Sequence, residues 1–445
     1  MLTPQPLISR KSGPIKGVIT PPGDKSISHR AVMLGGIAEG ETFVRGLLEG
    51  DDVLCTIAAL RALGAEVHQD STEWRIKGIG LKGLHASAST IDMGNSGTAA
   101  RLLIGLLSGR PFTSSFTGDA SLCKRPMGRI ITPLMQMGAT FVSTDGRLPL
   151  KVTGALKPQA ISYTLPVASA QVKSAILLAG LSANGVTTVI ERIPTRDHSE
   201  NMLRHFGARV DITPGDDGDA ISITGHPTLK GRALVVPADP SSAAFPLVAA
   251  ILNADSHLTL KNVGLNPRRA GLIDTLIEMG AKIALANKRD ESGEPVADLV
   301  VEGSALAGIT VPASRAPSMI DEYPILSIAA ACAEGTTRML GLAELRVKES
   351  DRLALIAQGL KRCGVKVEVA GDDLIVHGSG KSPQGGATVD TAMDHRIAMS
   401  FLILGTVSAE PVRIDDGAFI ATSFPAFVKL LNDAGANIGP EAGNR

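Results

Sequence analysis

The sequence predicts an α/β fold of two domains, each built from three βαβαββ repeats. Three observations predict it: a glycine that recurs at the end of a helical segment, a hairpin pattern after most of these glycines, and one long apolar helix in each repeat. Six repeats are too many for one core, because single cores stop growing near about 250 to 300 residues. The recurring glycines are Gly64, Gly138, Gly207, Gly280, Gly364 and Gly435.

Within each repeat, local patterns indicate the elements in a fixed order. A helix such as AALRALGAEV ends at the glycine, where the chain needs a residue with positive φ. A hairpin with a turn signal follows, as in KVEVAGDDLIVHG, and a strand then leads into an apolar helix such as SGTAARLLIGLL. A short strand, for example TTVIERI, returns to the next glycine-terminated helix. The apolar helices should be buried beneath the strands because they are hydrophobic nearly all round.

The repeats divide into two expected domains that a two-strand hinge joins. The first is discontinuous and comprises residues 1–21 and 240–445, with repeats four to six and an N-terminal strand. The second comprises residues 22–239, with repeats one to three. The pattern of the sixth repeat lacks its final strand, and we expect the segment around Ile15 to Ile19 to supply it.

Composition excludes several classes of protein. Lys plus Arg and Asp plus Glu both number 44, so the chain lacks the basic excess of a dedicated nucleic-acid or anionic-membrane binder. Aromatic residues make up only 3%, which disfavours a stacking platform for single-stranded nucleic acid. The four cysteines form no CxxC pair, so neither a zinc site nor a disulfide framework is expected. No apolar run resembles a secretory signal or a membrane span, and we expect a cytoplasmic protein.

Polar and cationic residues collect in loops that end at helix starts. Helix N-termini present unpaired N–H groups and a partial positive charge, so they favour anions. At least six cations lie in these loops of a chain with no net charge, which predicts a site for small polyanions. Asp321 and Glu349 lie among them as acid and base candidates. No metal-ligand cluster and no GxGxxG motif is present, so we expect no metal and no cofactor.

Each motif also has a purely structural interpretation. Lys25, Ser26 and Arg30 fit a solvated basic turn as well as an anion site, and Asp321 fits a helix cap. Lys348 and Arg352 are four residues apart, and we expect them to share a helix face. Gly97 fits a plain turn, and we interpret Cys123 as a small apolar residue rather than a nucleophile. Gln171 and Lys173 could cap a helix, but we assign them to function.

Several of these strings together resemble the EPSP synthase (3-phosphoshikimate 1-carboxyvinyltransferase) family, in particular its bacterial class II branch. They run from about Lys16 to Phe427 and include PGDKSISHRA, GDASLCKRPMGR, PVASAQVKSAILLAG, APSMIDEYPILS, LRVKESDRL and DHRIAMSFLI. The resemblance implies two inside-out α/β domains of three repeats each. It also implies transfer of the enolpyruvyl group of phosphoenolpyruvate to the 5-hydroxyl of 3-phosphoshikimate, with release of phosphate, in the shikimate pathway that leads to chorismate and the aromatic amino acids. The addition–elimination would pass through a tetrahedral intermediate.

The resemblance also implies roles for individual residues. Asp321, Glu349 and Lys25 would be catalytic: Asp321 would accept the hydroxyl proton, and Glu349 would protonate the methylene carbon and later take that proton back. The implied 3-phosphoshikimate set is Lys25, Ser26, Arg30, Ser169, Ala170, Gln171, Arg196, Asp321 and Lys348. The implied phosphoenolpyruvate set is Lys25, Gly97, Arg125, Gln171, Arg352 and Arg396. Because two anionic substrates repel each other, we expect a hinge closure when 3-phosphoshikimate binds.

The sequence departs from the better-known branch at a few positions. Thr422 and Ser423 stand where the family has a Lys before Phe-Pro, Glu344 replaces an Asn, and His198 replaces a Tyr. Gly97 occupies a position where tolerant members often carry Ala, so we expect at least partial inhibition by the herbicide glyphosate. The expected partners are the two small substrates alone, with neither nucleic acid nor membrane, and the expected state is a monomer.

Two alternatives remain open at this point. One is the sister enolpyruvyl transferase that acts on UDP-N-acetylglucosamine and uses a loop cysteine, which would give Cys123 a role. The DKSISHR start favours the shikimate branch instead. The other is a repeat scaffold that binds phosphorylated ligands without catalysis.

Overall fold

The computed structural model describes residues 4–440, so the predicted first domain extends at both ends, by residues 1–3 and 441–445, outside the described residues. Contacts between Cα atoms divide the chain into two compact units. Unit 1 comprises Met1–Pro22, Pro237–Asp290 and Pro295–Arg445, and unit 2 comprises Gly23–Val236 and Glu291–Glu294. The grouping of residues 291–294 with unit 2 has no counterpart in the sequence-based prediction.

Unit 2 contains three repeats in which each apolar helix is followed by a strand and a second helix. Its helices are α1 Lys25–Ile37, α2 Asp51–Ala62, α3 Gly80–Gly83, α4 Gly97–Ser108, α5 Gly128–Gln136, α6 Ala170–Gly180 and α7 His198–His205, with a 3₁₀ turn at Leu122–Lys124. Its strands are β3 Glu39–Arg45, β4 Glu66–Asp70, β5 Glu73–Ile79, β6 Ile91–Asp92, β7 Thr113–Thr117, β8 Thr140–Ser143, β9 Leu150–Thr153, β10 Ser162–Thr164, β11 Val186–Glu191, β12 Val210–Thr213, β13 Asp219–Thr224 and β14 Ala233–Val235.

Unit 1 repeats the same plan and adds the two N-terminal strands. Its helices are α8 Pro240–Leu252, α9 Gly271–Glu278, α10 Ala316–Met319, α11 Tyr323–Cys332, α12 Arg352–Arg362, α13 His395–Gly405 and α14 Phe427–Asp433, with 3₁₀ turns at Ala313–Arg315, Ala343–Val347 and Ala418–Thr422. Its strands are β1 Leu7–Arg10, β2 Lys16–Ile19, β15 His257–Gly264, β16 Lys282–Glu291, β17 Glu294–Glu302, β18 Thr310–Val311, β19 Glu334–Met339, β20 Lys366–Ala370, β21 Asp373–Ser379, β22 Thr388–Val389, β23 Val412–Ile414 and β24 Asn437–Pro440.

Within residues 4–440 the strands form six four-stranded sheets of one design, which confirms the predicted α/β repeat. In the third repeat the order is β10-β11-β13-β12, with β10 and β11 parallel and the other pairs antiparallel. The parallel pair requires a crossover, and the apolar helix provides it. Each sheet therefore places a strand-to-helix loop at the start of a buried helix.

The N-terminal strands complete two sheets, and the prediction for them was wrong in detail. β1 lies between β23 and β24 and is antiparallel to both, so Leu7–Arg10 rather than residues 15–19 completes the sixth repeat. β2 instead pairs in parallel with β15 at the edge of the fourth sheet. The burial of the two strands accounts for the difference: Ile8 and Ser9 are fully buried, whereas the side chains of β2 are largely exposed, as suits an edge.

The predicted burial of the apolar helices is confirmed, since nearly every residue of α1, α4, α6, α8, α11 and α13 is buried. The helix-ending glycines are also confirmed, because all six have φ between 80° and 115°. Among residues 4–440, none of the helices has the length and apolar content that crossing a bilayer requires.

Candidate active site

In unit 2, the start of α1 presents the first predicted cations. The Asp24 side chain caps this helix by accepting a hydrogen bond from the Ile27 amide at 2.8 Å, so Lys25 lies in the first turn. The Lys25 ammonium lies 3.0 Å from an oxygen of Asp52 in the first turn of α2. Lys25 is thus an oriented cation at a helix start, as its predicted role requires.

Arg30, one turn further along α1, is almost completely buried and rigidly held. Its Nε donates to Ser199 Oγ at 2.7 Å, one terminal nitrogen donates to Ser174 Oγ at 2.9 Å, and the other donates to the Ser26 carbonyl at 2.9 Å. A guanidinium has five N–H groups, so these bonds leave donors on both terminal nitrogens for an anion. Burial lowers the pKa of Arg30 to about 10, although the Glu200 carboxylate opposes that shift, so the side chain stays charged at neutral pH.

Gly97 is the first residue of α4, and it lies against two arginines. A Cβ on Gly97 would lie 2.9 Å from a terminal nitrogen of Arg101 and 3.2 Å from one of Arg125. Arg125 is mostly buried and donates to Asn95 Oδ1 at 2.6 Å and to Ser121 Oγ at 3.3 Å. The glycine therefore lets the helix start and the Arg125 guanidinium approach each other closely.

The start of α6 contacts one of these two arginines, Arg101. Ser169 caps α6, Ala170 is its first residue, and the Gln171 side chain accepts a hydrogen bond from Arg101 at 2.8 Å. Gln171 also donates to Thr98 Oγ1 at 3.0 Å, which joins α6 to α4. Arg196, in the loop before α7, is half-buried, and its charge contributes to the lowered pKa of Arg30. The structure thus groups the predicted residues of unit 2 around the starts of α1, α4 and α6.

In unit 1, the structure brings five predicted residues into one cluster. Asp321 Oδ1 accepts a hydrogen bond from Arg352 at 3.1 Å and lies 3.5 Å from the Lys348 ammonium. Glu349 lies 2.6 Å from the other terminal nitrogen of Arg352. Arg396 donates to the Asp321 carbonyl at 3.3 Å and lies 3.6 Å from Glu322. Two carboxylates and three cations therefore form one cluster.

Arg352 is the centre of this cluster and is fully buried. Burial alone would lower its pKa, but the carboxylates of Asp394, Glu349 and Asp321 outweigh that effect and raise it. The predicted shared helix face of Lys348 and Arg352 is wrong, because α12 begins only at Arg352 and Lys348 lies in the preceding loop. Asp351 caps the helix, which explains why it cannot extend back to Lys348. The two cations meet through Asp321 instead.

Sequence reasoning missed several residues that hold these groups. Asp394 accepts from Arg352 and Ser350 while it caps α13, and its position before His395 and Arg396 was the only available signal. Arg101 was missed because it lies in an apolar helix, although a lone Arg in such a segment is itself a signal. Lys173, predicted from the sequence to be functional beside Gln171, is fully buried and paired with Glu191, so its ammonium does not itself face a ligand.

The remaining predicted positions fall outside these clusters or on their edges. Cys123 is half-buried, and its thiol donates to the Gly118 carbonyl at 3.3 Å. His198 is buried beside Glu294, also of unit 2, with Nδ1 2.8 Å from the carboxylate. Thr422 and Ser423 are buried at the end of a 3₁₀ turn, where Thr422 donates to the Phe419 carbonyl. Glu344 lies in the 3₁₀ turn that precedes Lys348.

The comparisons with known proteins agree on one family. The family model for EPSP synthase (3-phosphoshikimate 1-carboxyvinyltransferase) matches residues 9–431. The 3-phosphoshikimate 1-carboxyvinyltransferase of Paramagnetospirillum magneticum is 62% identical over 98% of this chain and 99% of its own length, and that of Rhodospirillum rubrum is 59% identical over 98% of each. A solved EPSP synthase structure from Acinetobacter baumannii superposes with a TM-score of 0.87 at 46% identity, covering 99% of this chain and 100% of that one. The chain belongs to the EPSP synthase family.

Proposed function

We propose that this protein transfers the enolpyruvyl group of phosphoenolpyruvate to the 5-hydroxyl of 3-phosphoshikimate, giving 5-enolpyruvylshikimate 3-phosphate and phosphate. The observation that carries the proposal is the cluster in unit 1, where Asp321 and Glu349 flank the buried Arg352. An acid, a base and fixed cations are what a proton-coupled addition to an anionic enol ester needs. The family and the names of its members support the same reaction.

For 3-phosphoshikimate, we propose that unit 2 supplies the phosphate and ring contacts. Arg30 offers donors on both terminal nitrogens, and its three fixed hydrogen bonds reduce the entropy lost when an anion binds. Lys25 and Arg196 add positive charge, and a guanidinium suits phosphate through two parallel hydrogen bonds. The proposed set is Lys25, Ser26, Arg30, Ser169, Ala170, Gln171, Arg196, Asp321 and Lys348.

For phosphoenolpyruvate, we propose Lys25, Gly97, Arg125, Gln171, Arg352 and Arg396. Gly97 lets the anion reach the start of α4, where backbone N–H groups point outward. Arg352 and Arg396 place two more guanidinium groups next to the acid and base. These cations offset the repulsion between the two substrates.

The proton transfers balance as an addition followed by an elimination. Asp321 accepts the proton of the 5-hydroxyl while the hydroxyl oxygen bonds to the central carbon of phosphoenolpyruvate. Glu349 protonates the methylene carbon to give a methyl group. The product of this addition is a tetrahedral ketal phosphate. Phosphate then leaves with the C–O electron pair and takes up the proton that Asp321 accepted, while Glu349 removes a methyl proton and the double bond re-forms. Lys348 and Arg352 favour the ionised form of Asp321 that the first step requires.

Phosphate release that depends strictly on both substrates tests the proposal. Release with UDP-N-acetylglucosamine in place of 3-phosphoshikimate would contradict it, and so would binding of both substrates without turnover. Glu349→Gln should retain substrate binding while turnover falls by at least about 100-fold, because a general acid or base contributes about 10² to 10⁴ in rate. Cys123→Ser should stay active, which separates this reaction from one that uses a loop cysteine.

We also propose that the two units are the two domains predicted at residues 1–21 with 240–445 and at 22–239, that the protein works as a monomer in the cytoplasm, and that glyphosate inhibits it. Sedimentation velocity at several protein concentrations tests the proposed monomeric state. A shift in sedimentation coefficient with concentration would contradict the monomer.

A further inference from the structure

Lys173 is a buried cation that the proposed binding sets do not use. It lies in α6 with a fully buried side chain, so its ammonium cannot touch a ligand. The ammonium lies 2.9 Å from an oxygen of Glu191 and 2.7 Å from an oxygen of Glu200, and both carboxylates are themselves buried. Burying three charges carries a large desolvation cost, which this arrangement offsets only by close pairing.

The two partners of Lys173 stand at opposite ends of the segment that carries Arg196. Glu191 ends β11, and its second oxygen accepts hydrogen bonds from the Thr195 amide at 3.2 Å and the Thr195 hydroxyl at 2.7 Å. Glu200 lies in the first turn of α7, four residues after Arg196. One ammonium therefore ties both ends of residues 191–200 to α6, with Arg196 between them.

The same pair of helices holds Arg30. Ser174 follows Lys173 in α6, Ser199 precedes Glu200 in α7, and their hydroxyls lie 2.6 Å apart. Both hydroxyls accept from the Arg30 guanidinium. The Lys173–Glu200 pair thus lies next to the serine pair that orients Arg30, and the distance between α6 and α7 sets both contacts.

We propose that Lys173 is a positioning residue for the binding of 3-phosphoshikimate: by joining Glu191 to Glu200 it fixes the segment that presents Arg196 and the serine pair that orients Arg30. The inference rests on the proposed function, since the bound anion is the proposed substrate. It assigns Lys173 an effect on the affinity for 3-phosphoshikimate and not on the proton transfers, which belong to residues of unit 1.

Two variants of graded severity test the inference. Thr195→Val removes one hydroxyl that anchors the segment to Glu191 and leaves the buried charges in place, so it should fold. Lys173→Met removes the ammonium from between two buried carboxylates. We expect the calorimetric Kd for 3-phosphoshikimate to rise about 3- to 10-fold in Thr195→Val and at least about 30-fold in Lys173→Met, where each tenfold step corresponds to about 1.4 kcal/mol.

Kinetics and hydrogen exchange distinguish positioning from a general loss of structure. With saturating 3-phosphoshikimate, the KM for phosphoenolpyruvate and kcat should stay within about threefold of the wild-type values, because the acid, base and phosphoenolpyruvate groups are unchanged. Amide exchange in residues 192–197 should rise in both variants. The matched control is Thr188→Val, which removes a hydroxyl from the same strand β11 that bonds Ser222 instead, and it should change none of these quantities.

Each outcome decides the inference. If Lys173→Met does not fold, Thr195→Val decides alone: a raised Kd supports the inference and an unchanged Kd overturns it. A parallel fall in kcat and in the affinity for both substrates would also overturn it. If the wild-type protein neither binds 3-phosphoshikimate nor releases phosphate, the proposed function fails, whereas exchange in residues 192–197 still reports whether Lys173 fixes the segment.

Discussion

Asp394 accepts hydrogen bonds from two nitrogens of the Arg352 guanidinium, at 2.8 Å from Nε and 3.3 Å from Nη2, and both residues are fully buried. The same carboxylate accepts the Arg396 amide at 2.9 Å as the cap of α13. One buried side chain thus fixes the position of Arg352 and the start of the helix that carries Arg396. This arrangement makes the phosphoenolpyruvate half of the proposed chemistry depend on a residue that needs no contact with substrate.

Asp394→Asn should weaken both the fold and the binding of phosphoenolpyruvate. Removing one partner of a buried ion pair costs about 3 to 5 kcal/mol, and we expect somewhat less, about 2 to 4 kcal/mol, because Asp321 and Glu349 still face Arg352. Urea unfolding gives the loss of stability, and steady-state kinetics should give a KM for phosphoenolpyruvate raised by about tenfold or more. Asp433→Asn, which breaks the exposed pair with Lys429, is the control and should cost under about 1 kcal/mol. A variant with wild-type KM would show that Arg352 does not depend on Asp394.

Gly97→Ala should weaken the binding of glyphosate more than the binding of phosphoenolpyruvate. The added methyl group would lie 2.9 Å from Arg101 and 3.2 Å from Arg125, so the Arg101 guanidinium must shift and the methyl group itself occupies space at the start of α4. Glyphosate is longer than phosphoenolpyruvate and tolerates a shortened site less well. We expect the Ki for glyphosate to rise at least about tenfold, with a smaller rise in the KM for phosphoenolpyruvate.

Gly128→Ala provides the matched control for that prediction. Gly128 also begins a helix in unit 2, but a Cβ there would have no neighbour within 4 Å. Both constants should therefore stay at their wild-type values. Equal rises of Ki and KM in Gly97→Ala would contradict the steric argument, because they would show a uniform loss of anion affinity.

Arg101→Met should impair the binding of both substrates with little effect on kcat. Arg101 donates to Gln171 at 2.8 Å and to the Pro126 carbonyl at 3.0 Å, so it connects the start of α6 to the segment that follows Arg125. We expect both KM values to rise about 5- to 20-fold as these groups lose their fixed positions. Arg61→Met, which removes a comparable bond to the Val67 carbonyl, is the control and should leave both KM values unchanged. A selective loss of kcat would assign Arg101 to the chemical step.

The repeats could be predicted because their signals are local. A helix that ends at a glycine, a turn signal and an apolar helix are each short segments of neighbouring residues, and all six glycines have the positive φ that the pattern requires. The destinations of β1 and β2 could not be predicted in the same way. Both are four-residue strands, and which sheet each completes depends on pairing with strands more than 200 residues away in sequence.

The candidate site shows the same division between local and distant information. The cations at helix starts were identifiable from sequence because a Lys or Arg beside a cap is a local pattern. Their acidic partners were not, because Asp52 and Asp394 also satisfy ordinary roles at helix starts. Only the fold shows that Asp52 pairs with Lys25 and that Asp394 pairs with Arg352.

Asp298 should make the stability of unit 1 depend on pH in acid. It is buried in β17, and although burial alone would raise its pKa, hydrogen bonds from the Asn262 amide, Lys261 and Asn287 lower it to about 2. The folded pKa lies below the unfolded value, so the stabilisation is present above about pH 4 and is lost as the pH falls toward about 2. Asp298→Asn should therefore destabilise unit 1 by about 1 to 2 kcal/mol at pH 7, and the difference from the wild type should shrink in acid. Urea unfolding at pH 7, 4 and 3 measures the loss of unfolding free energy. The control is Glu302→Gln, which removes an exposed carboxylate of the same strand and should cost under about 0.5 kcal/mol. A difference that stays constant from pH 7 to 3 would contradict the prediction, because an uncharged packing defect would behave in that way.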